Sequence, residues 1–182
     1  MRVILIGPGS SGKDFLKEYL MQKGYVPSVY CTTRPQREGE INDRDYHFIS
    51  SVEFEILIDT KKFREWKVFG DKNWHYGITI FDFNGANLFI MTPAGIKNLS
   101  DEERRESIIV YLNVPLEVRK ERLMKRTGDS AERRLKTDAE DFKNFTDYDL
   151  LIEDPFFKPE EILENINNYV RTRENIREKT QN

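Results

Sequence analysis

The sequence predicts an α/β fold, a sandwich of helices around a parallel sheet. Two apolar runs, Val3–Ile6 and Ile108–Leu112, have the continuous hydrophobic character of strands that are buried on both faces. A segment with helical spacing follows each run, at Lys13–Met21 and at Leu116–Lys125. Strands that alternate with helices are typical of parallel sheets, because each crossover places a helix against a face of the sheet.

The region between these two strands predicts shorter elements. Ser50, followed three positions later by Glu53, has the pattern of a capping box and predicts a helix that ends near Thr60. The alternating residues Phe63–Phe69 predict a strand. Between residues 33 and 45 the sequence is polar and has neither the periodicity of a helix nor that of a strand, which predicts an exposed loop.

Residues 78–91 allow two interpretations. The pair Asn84-Gly85 lies between the apolar runs Ile78–Phe83 and Leu88–Met91, which is the pattern of a tight hairpin. The second run is equally compatible with a strand buried in the core. The sequence leaves both possibilities open.

The C-terminal third predicts two helices and a strand. Asp129 and Glu132 have the spacing of a helix N-terminus, for a helix that ends near Phe145. Residues 150–152 predict a short strand, and Glu160–Arg173 predict a last helix with a frayed tail beyond it.

The composition excludes several classes of protein. The chain has 182 residues, the size of one globular domain, and its 38% hydrophobic content is sufficient for a folded core. The net charge of -3 provides no general basic field, so we expect no nucleic-acid partner. An anionic ligand would have to be bound by local arginines.

The apolar segments are short. None approaches the ~18 residues that a membrane span needs. After Met1-Arg2 only four apolar residues precede Gly7, fewer than the core of a signal peptide requires. The single cysteine, Cys31, cannot form an intrachain disulfide. We therefore expect a cytoplasmic protein with no membrane partner and no obligate protein partner.

A phosphate-binding motif follows the first predicted strand. It is the segment Gly7-Pro8-Gly9-Ser10-Ser11-Gly12-Lys13, which fits G-x-x-x-x-G-K and precedes a predicted helix. In such a loop the backbone N–H groups and the helix N-terminus bind phosphate, and the lysine reaches the β- and γ-oxygens. The strand, the loop and the helix together predict an ATP site.

Asp14 occupies the position after the motif, where serine or threonine usually binds magnesium. A carboxylate is also a good magnesium ligand. An acidic residue in the first turn equally favours the helix by itself. Asp14 is therefore a candidate metal ligand with a structural alternative.

Several further segments resemble the guanylate kinase family, and the resemblance runs nearly end to end. They are Thr32-Thr33-Arg34-Pro35-Gln36-Arg37-Glu38-Gly39-Glu40, Asp45-Tyr46-His47-Phe48, Phe63-Arg64-Glu65-Trp66, Tyr76-Gly77, Gly95 and residues 122–135. The resemblance implies a P-loop three-layer sandwich with a parallel central sheet, a small lobe that binds a nucleoside monophosphate and a mobile helical lid. The lobe corresponds to residues 34–86, the lid to 122–136, and the core to 1–33, 87–121 and 137–182.

The resemblance also implies roles for individual residues. Arg34, Arg37, Tyr46 and Tyr76 would bind the acceptor phosphate, which suits forked guanidinium donors and neutral hydroxyl donors. Glu65 would accept hydrogen bonds from the guanine edge.

Three lid arginines would lie over the ATP phosphates. Arg122 and Arg126 are four residues apart and share a helix face, while Arg134 follows the Thr127-Gly128 break and would approach from a second helix. The lid segment is shorter than is typical for the family, so Arg133 is the alternative to Arg134.

The positions that read the base depart from the family pattern. Cys31 and Ile78 stand where hydroxyl residues are expected. The pair of aspartates that ends the central strand is replaced by Ile90 and Thr92 or, in a second alignment, by Met91 and Pro93. We therefore expect the base to be bound more weakly than in a typical member of the family.

The resemblance implies an ATP- and magnesium-dependent kinase that phosphorylates GMP or dGMP. One alternative is a related kinase of another deoxynucleoside monophosphate or of ribose 1,5-bisphosphate, whose enzymes share the Gly12-Lys13-Asp14 pattern. The other is an inactive module that binds phosphorylated peptides through Arg34, Arg37 and Tyr46. An intact loop and three lid arginines argue against the inactive module.

Overall fold

The computed structural model describes residues 1–69, 73–125 and 131–181, without the side chains at 69, 131–134, 177–178 and 180–181. Within these residues the chain forms two compact units. The first comprises Met1–Tyr25 and Leu88–Asn182, and the second comprises Val26–Asn87. Each unit contains one sheet of four strands.

The described elements are as follows in chain order. The strands are β1 (Arg2–Ile6), β2 (Cys31–Thr32), β3 (His47–Phe48), β4 (Phe63–Phe69), β5 (Trp74–Thr79), β6 (Leu88–Ile90), β7 (Ser107–Leu112) and β8 (Leu150–Ile152). The helices are α1 (Lys13–Gln22), α2 (Ser51–Asp59), α3 (Ile80–Gly85), α4 (Pro93–Lys97), α5 (Asp101–Arg105), α6 (Leu116–Met124), α7 (Ala131–Phe142) and α8 (Pro159–Gln181).

The first unit confirms the predicted parallel sheet. Its strand order is β6-β1-β7-β8, and all three pairings are parallel. The two central strands, β1 and β7, are buried along nearly their whole length, as their continuous apolar sequence predicts. Their side chains form the core with apolar residues of α1 and α8, including Val3, Leu5, Leu16, Leu20, Val110, Leu112, Ile162 and Ile166.

The structure resolves the ambiguity at residues 78–91 in favour of a core strand. Strand β6 pairs with β1 in parallel, with Leu88 opposite Val3, so no hairpin forms. Residues 80–83, which the hairpin interpretation places in a strand, form α3 together with Asn84 and Gly85, which it places in the turn. The Thr79 hydroxyl accepts the Asp82 N–H and caps this helix, which redirects the chain after β5.

The second unit contains a mixed sheet with strand order β3-β2-β5-β4. Strands β2 and β3 pair in parallel, and the other two pairings are antiparallel. Its helix α2 begins with the predicted capping box, in which the Ser50 hydroxyl and the Glu53 carboxylate bond reciprocally to backbone N–H groups. The predicted strand at residues 63–69 is confirmed as β4. Strands β2 and β3 have two residues each, too few for an alternating pattern that would predict them from the sequence.

The C-terminal helices differ from the prediction in length. Helix α7 ends at Phe142 rather than near Phe145, whose ring packs edge-on against Tyr111 at 5.3 Å. Helix α8 continues to Gln181, so it extends beyond the predicted end at Arg173. Arg173 donates to the Ser107 carbonyl at 2.9 Å, which ties this part of the helix to β7.

Within the described ranges, no helix combines the length and the apolar character that a membrane crossing requires.

Candidate active site

The loop between β1 and α1 is held in shape by its two outer glycines. A Cβ atom at Gly7 would lie 2.5 Å from the Leu112 carbonyl oxygen, so only glycine fits against β7. Gly12 adopts a left-handed φ of +100°, and a Cβ there would also approach the Phe157 ring to 3.1 Å. Both glycines of the motif are therefore required by the backbone.

Lys13 is the first residue of α1, and its ammonium group turns back over the loop. Its Nζ donates to the Gly7 carbonyl at 2.7 Å and to the Pro8 carbonyl at 2.8 Å. These two carbonyls hold the ammonium group against the loop. The charge is thus positioned at the loop, as the motif predicts.

The two serines of the loop are buried in different ways. The Ser11 residue is fully buried beside Gly7. Ser10 has a left-handed φ of +61°, and its buried hydroxyl has no hydrogen-bond partner among the described residues. A buried polar atom without a partner is costly, so this hydroxyl is suited to a ligand oxygen.

A cavity of about 510 Å³ opens beside the loop. The residues that line it include the loop residues Ser10–Lys13, exposed Asp14 and the aromatic residues Phe15, Phe156 and Phe157. No group of three or more ligating side chains suited to a metal occurs in the described part of the chain.

Arg122, on α6, lies at the same cavity. Its Nη1 donates to the Ser10 carbonyl at 3.1 Å, and its Nη2 donates to the Pro155 carbonyl at 2.6 Å. Of the three predicted lid arginines, this one is therefore brought to the loop. Arg126 lies outside the described residues, and the side chain of Arg134, on α7, also lies outside the description.

A carboxylate that the sequence analysis did not single out also reaches the loop. The Gly9 N–H donates to Asp138 Oδ2 on α7 at 2.8 Å. The same carboxylate oxygen lies 3.5 Å from Arg119 Nη1 on α6. These groups are far apart in sequence, so only the tertiary structure brings them together.

In the second unit, Arg34 forms the centre of the predicted acceptor site. Its residue is 4% exposed, and its guanidinium donates to Glu40 Oε1 and to the Pro35 carbonyl, each at 2.7 Å. Burial lowers the pKa of the Arg34 guanidinium, but the hydrogen bond and charge of Glu40 outweigh burial and raise it. The side chain is thus a permanent cation with a carboxylate partner.

The two predicted tyrosines adjoin this arginine. The Arg34 guanidinium lies 5.4 Å from the centre of the Tyr46 ring, and the Tyr46 and Tyr76 rings meet edge-on at 6.0 Å. The Arg37 side chain is exposed, and its backbone N–H donates to Glu40 Oε2 at 2.7 Å. Glu40 therefore links the two arginines, a role that the sequence analysis did not assign to it.

Glu65 lies on β4 directly opposite Ile78 of β5. Its Oε2 is 3.9 Å from Arg64 Nη1, and its side chain is half-buried. Burial, followed by the charge of Glu65, raises the pKa of the nearby Tyr30 hydroxyl. The carboxylate is therefore in a partly desolvated position, where hydrogen bonds to it are strong.

The residues that depart from the family pattern provide little hydrogen bonding. Cys31 is 3% exposed, and burial together with the Asp82 charge raises the pKa of its thiol to about 12, so it is neutral. Ile78 is fully buried. The Thr92 hydroxyl accepts the Gly95 N–H at 3.2 Å and caps α4.

A parallel sheet that leads through a G-x-x-x-x-G-K loop into a helix is typical of P-loop nucleotide-binding proteins. A profile of the family described as guanylate kinase matches residues 1–173. The chain belongs to the guanylate kinase family and is a nucleoside monophosphate kinase.

Individual relatives agree with this assignment. The guanylate kinase of Idiomarina loihiensis is 32% identical over 169 residues, which cover 84% of this chain and 79% of that protein. The guanylate kinase of Hyphomonas neptunium is 29% identical over 164 residues, covering 84% and 75%. The crystal structure of guanylate kinase from Anaplasma phagocytophilum has the same fold, with a TM-score of 0.67 and 22% identity over 95% of this chain and 85% of that one.

Proposed function

We propose that this protein transfers the γ-phosphoryl group of ATP to GMP or dGMP and produces the nucleoside diphosphate. The first unit binds ATP at the loop Gly7–Lys13. The second unit is the lobe that binds the acceptor. The observation that carries the proposal is the convergence of Lys13 and Arg122 on one loop that also contains the unpartnered hydroxyl of Ser10.

On the donor side, the loop N–H groups and the positive end of α1 bind the phosphates. Lys13 exchanges the Gly7 and Pro8 carbonyls for phosphate oxygens, which are stronger acceptors. Arg122, together with Arg126 and Arg134, neutralises the charge that develops on the transferred group. These arginines provide electrostatic stabilisation rather than acid–base chemistry, so no general base is required.

Magnesium fits this donor site through one carboxylate. Asp14 is exposed at the cavity and would hold the ion directly or through water. A single carboxylate, water and phosphate oxygens are a common ligand set for magnesium. When bound with ATP, magnesium screens the charge of the β- and γ-phosphates.

On the acceptor side, Arg34, Arg37, Tyr46 and Tyr76 bind the phosphate of the nucleoside monophosphate. The Glu40 carboxylate holds Arg34 in place before the acceptor binds. Glu65 accepts two hydrogen bonds from the N1–H and N2–H₂ edge of guanine, an edge that adenine and cytosine do not offer. Because Cys31 and Ile78 add little, discrimination depends mainly on Glu65.

The decisive experiment compares acceptors in one assay with ATP and magnesium. The panel contains GMP, dGMP, AMP, CMP, TMP and ribose 1,5-bisphosphate, with Lys13→Ala as the control for contaminating kinases. We expect both guanine nucleotides to give the highest kcat/KM. A higher value for any other acceptor would replace the proposed substrate, and no transfer to any acceptor would favour a binding module.

A second measurement tests the role of Glu65. In Glu65→Gln, one hydrogen-bond acceptor becomes a donor that faces the donors of guanine. We expect the kcat/KM for GMP to fall by ~10-fold or more, since a mismatched buried polar group costs ~1–3 kcal/mol. The values for the other nucleotides should fall much less. Glu55→Gln, which changes an exposed carboxylate on α2, is the matched control.

A further inference from the structure

The contact between Gly9 and Asp138 is unusual for a phosphate loop. The N–H groups of such a loop are suited to anions, and here one of them donates to a carboxylate from a distant helix at 2.8 Å. A Cβ atom at Gly9 would lie 3.2 Å from the same oxygen, so the carboxylate lies directly against the loop. An anion thus occupies part of the loop before any nucleotide binds.

Arg119 makes this carboxylate part of a larger arrangement. Its side chain is 11% exposed, and its Nε donates to the Val114 carbonyl at 3.0 Å. Its Nη1 is buried and lies 3.5 Å from Asp138 Oδ2, close enough for an ion pair but not for a hydrogen bond, and it has no hydrogen-bond partner among the described residues. Burial lowers the pKa of the Arg119 guanidinium, and the charge of Asp138 partly offsets this effect.

Arg119 Nη1 therefore has an unused hydrogen-bonding capacity that points towards an anion at Gly9. A buried guanidinium strongly favours a well-placed anionic acceptor, because an unpaired buried charge is costly. A phosphate group has more acceptor oxygens than a carboxylate and more negative charge, so it is a better partner for both Gly9 N–H and Arg119.

We propose that Asp138 occupies the place of a terminal phosphate oxygen of ATP, and that Gly9 and Arg119 transfer from Asp138 to the γ-phosphate when ATP binds. Arg119 is then a further phosphate-binding residue, and Asp138 is a competitor that ATP displaces. The inference rests on the proposed function, since it requires that the loop bind ATP.

The terminal phosphate is the relevant one because of where Lys13 lies. The Lys13 ammonium contacts the carbonyls of Gly7 and Pro8, next to Gly9, and this lysine reaches the β- and γ-oxygens in the motif. An anion at Gly9 is therefore at the γ end of the loop. ADP lacks this phosphate and should leave Asp138 in place.

The first test measures the affinity of Asp138→Asn for ATP and for ADP by calorimetry in the presence of magnesium. Asparagine keeps an acceptor for the Gly9 N–H but removes the competing charge. We expect ATP to bind ~10-fold more tightly, because it no longer has to displace the charged Asp138 carboxylate from the Gly9 N–H. ADP should bind as it does to the parental chain. Glu140→Gln removes the same charge from an exposed position of α7 and should change neither affinity.

The second test isolates Arg119 in the Asp138→Asn background, where its ion pair is already absent. Adding Arg119→Met should weaken ATP binding by ~10-fold while ADP binding stays unchanged. Lys120→Met, on the same helix with an exposed partner at Glu117, is the control. Thermal unfolding shows that each variant is folded. The binding stoichiometry gives the fraction of folded protein, and each affinity refers to that fraction.

The outcomes separate this inference from the proposed function. Equal weakening of ATP and ADP in Asp138→Asn would make the contact a structural support of the loop and would overturn the inference. Unchanged ATP binding in both variants would also overturn it. A parental chain that binds neither nucleotide would overturn the proposed function and this inference with it.

Discussion

The loop at residues 7–13 and the segment at residues 34–40 are both suited to phosphate, but they create positive potential with different groups. The first uses backbone N–H groups and one lysine, so its shape depends on Gly7 and Gly12. The second uses a buried guanidinium, Arg34, which a carboxylate six residues away must compensate. The carboxylate at the first site, Asp138, comes from a distant helix and accepts a backbone N–H, whereas the carboxylate at the second site pairs with a buried side-chain charge of the same segment.

This difference has a consequence for mutation. In the first loop, the loss of Lys13 removes two hydrogen bonds to loop carbonyls and its contribution to the phosphates, but the two outer glycines still set the backbone. In the second segment, the loss of Arg34 also leaves Glu40 without its partner. We therefore expect variants of the first loop to affect turnover and variants of the second to affect both acceptor binding and stability.

The largest effect should come from Lys13→Ala. The loop remains, but the transferred group loses a charge that stabilises the transition state, so kcat should fall by ~100-fold or more. A coupled assay for ADP release at saturating ATP measures this. Lys17→Ala, one turn further along α1, is the control, and thermal unfolding should give the same midpoint for both variants. Retention of half the parental rate in Lys13→Ala would contradict the cradle assignment.

Arg34→Lys should have the next largest effect, and this effect should be on binding of the acceptor. Lysine keeps the charge but cannot form the fork that binds Glu40 and a phosphate together, so the KM for GMP should rise by ~10-fold or more, with a lower unfolding temperature. Arg44→Lys, an exposed arginine in the same unit, is the control. If the KM for ATP rises instead, Arg34 does not belong to the acceptor site.

Asp14→Asn should have a smaller effect that is confined to the metal. The magnesium concentration for half-maximal rate should rise by several-fold, ~3- to 10-fold for the loss of one charged ligand among several, and more than the KM for ATP. Titration of magnesium at fixed ATP measures this. Glu18→Gln, an exposed carboxylate one turn later on α1, is the control. Identical magnesium curves would leave Asp14 as a helix-terminal residue only.

The smallest effect concerns the Cys31 thiol in the second unit. The pKa of this thiol is about 12 in the folded protein, above its value in the unfolded chain, so the unfolded chain loses the thiol proton first as the pH rises. The free energy of unfolding therefore falls as the pH rises above the unfolded pKa. Between about pH 8 and about pH 10 the parental chain should lose about 1 kcal/mol more unfolding free energy than Cys31→Ala. Urea unfolding at both pH values measures this difference. Parallel losses would show that the thiol is not desolvated.

The sequence by itself predicted the parts of the site that depend on neighbours along the chain. Strand β1, the glycine loop and α1 follow from apolar runs and from a backbone that only glycine can adopt. The capping box at Ser50 and Glu53 is likewise a contact between residues three positions apart. The motif predicts the Lys13 ammonium group at this loop, where the structure has it, but not its hydrogen bonds to the loop carbonyls.

The tertiary structure decided everything that depends on which elements pack together. An Asn-Gly pair between two apolar runs is compatible with a hairpin, and only the pairing of β6 with β1 excludes it. Asp138 and Arg119 are ordinary charges on amphipathic helices, with no local signal that would connect them to Gly9. Periodicity and turn chemistry act over a few residues, whereas the position of a charge at a loop depends on the packing of helices distant in sequence. The sequence therefore determined the phosphate loop, and the fold determined which side chains meet it.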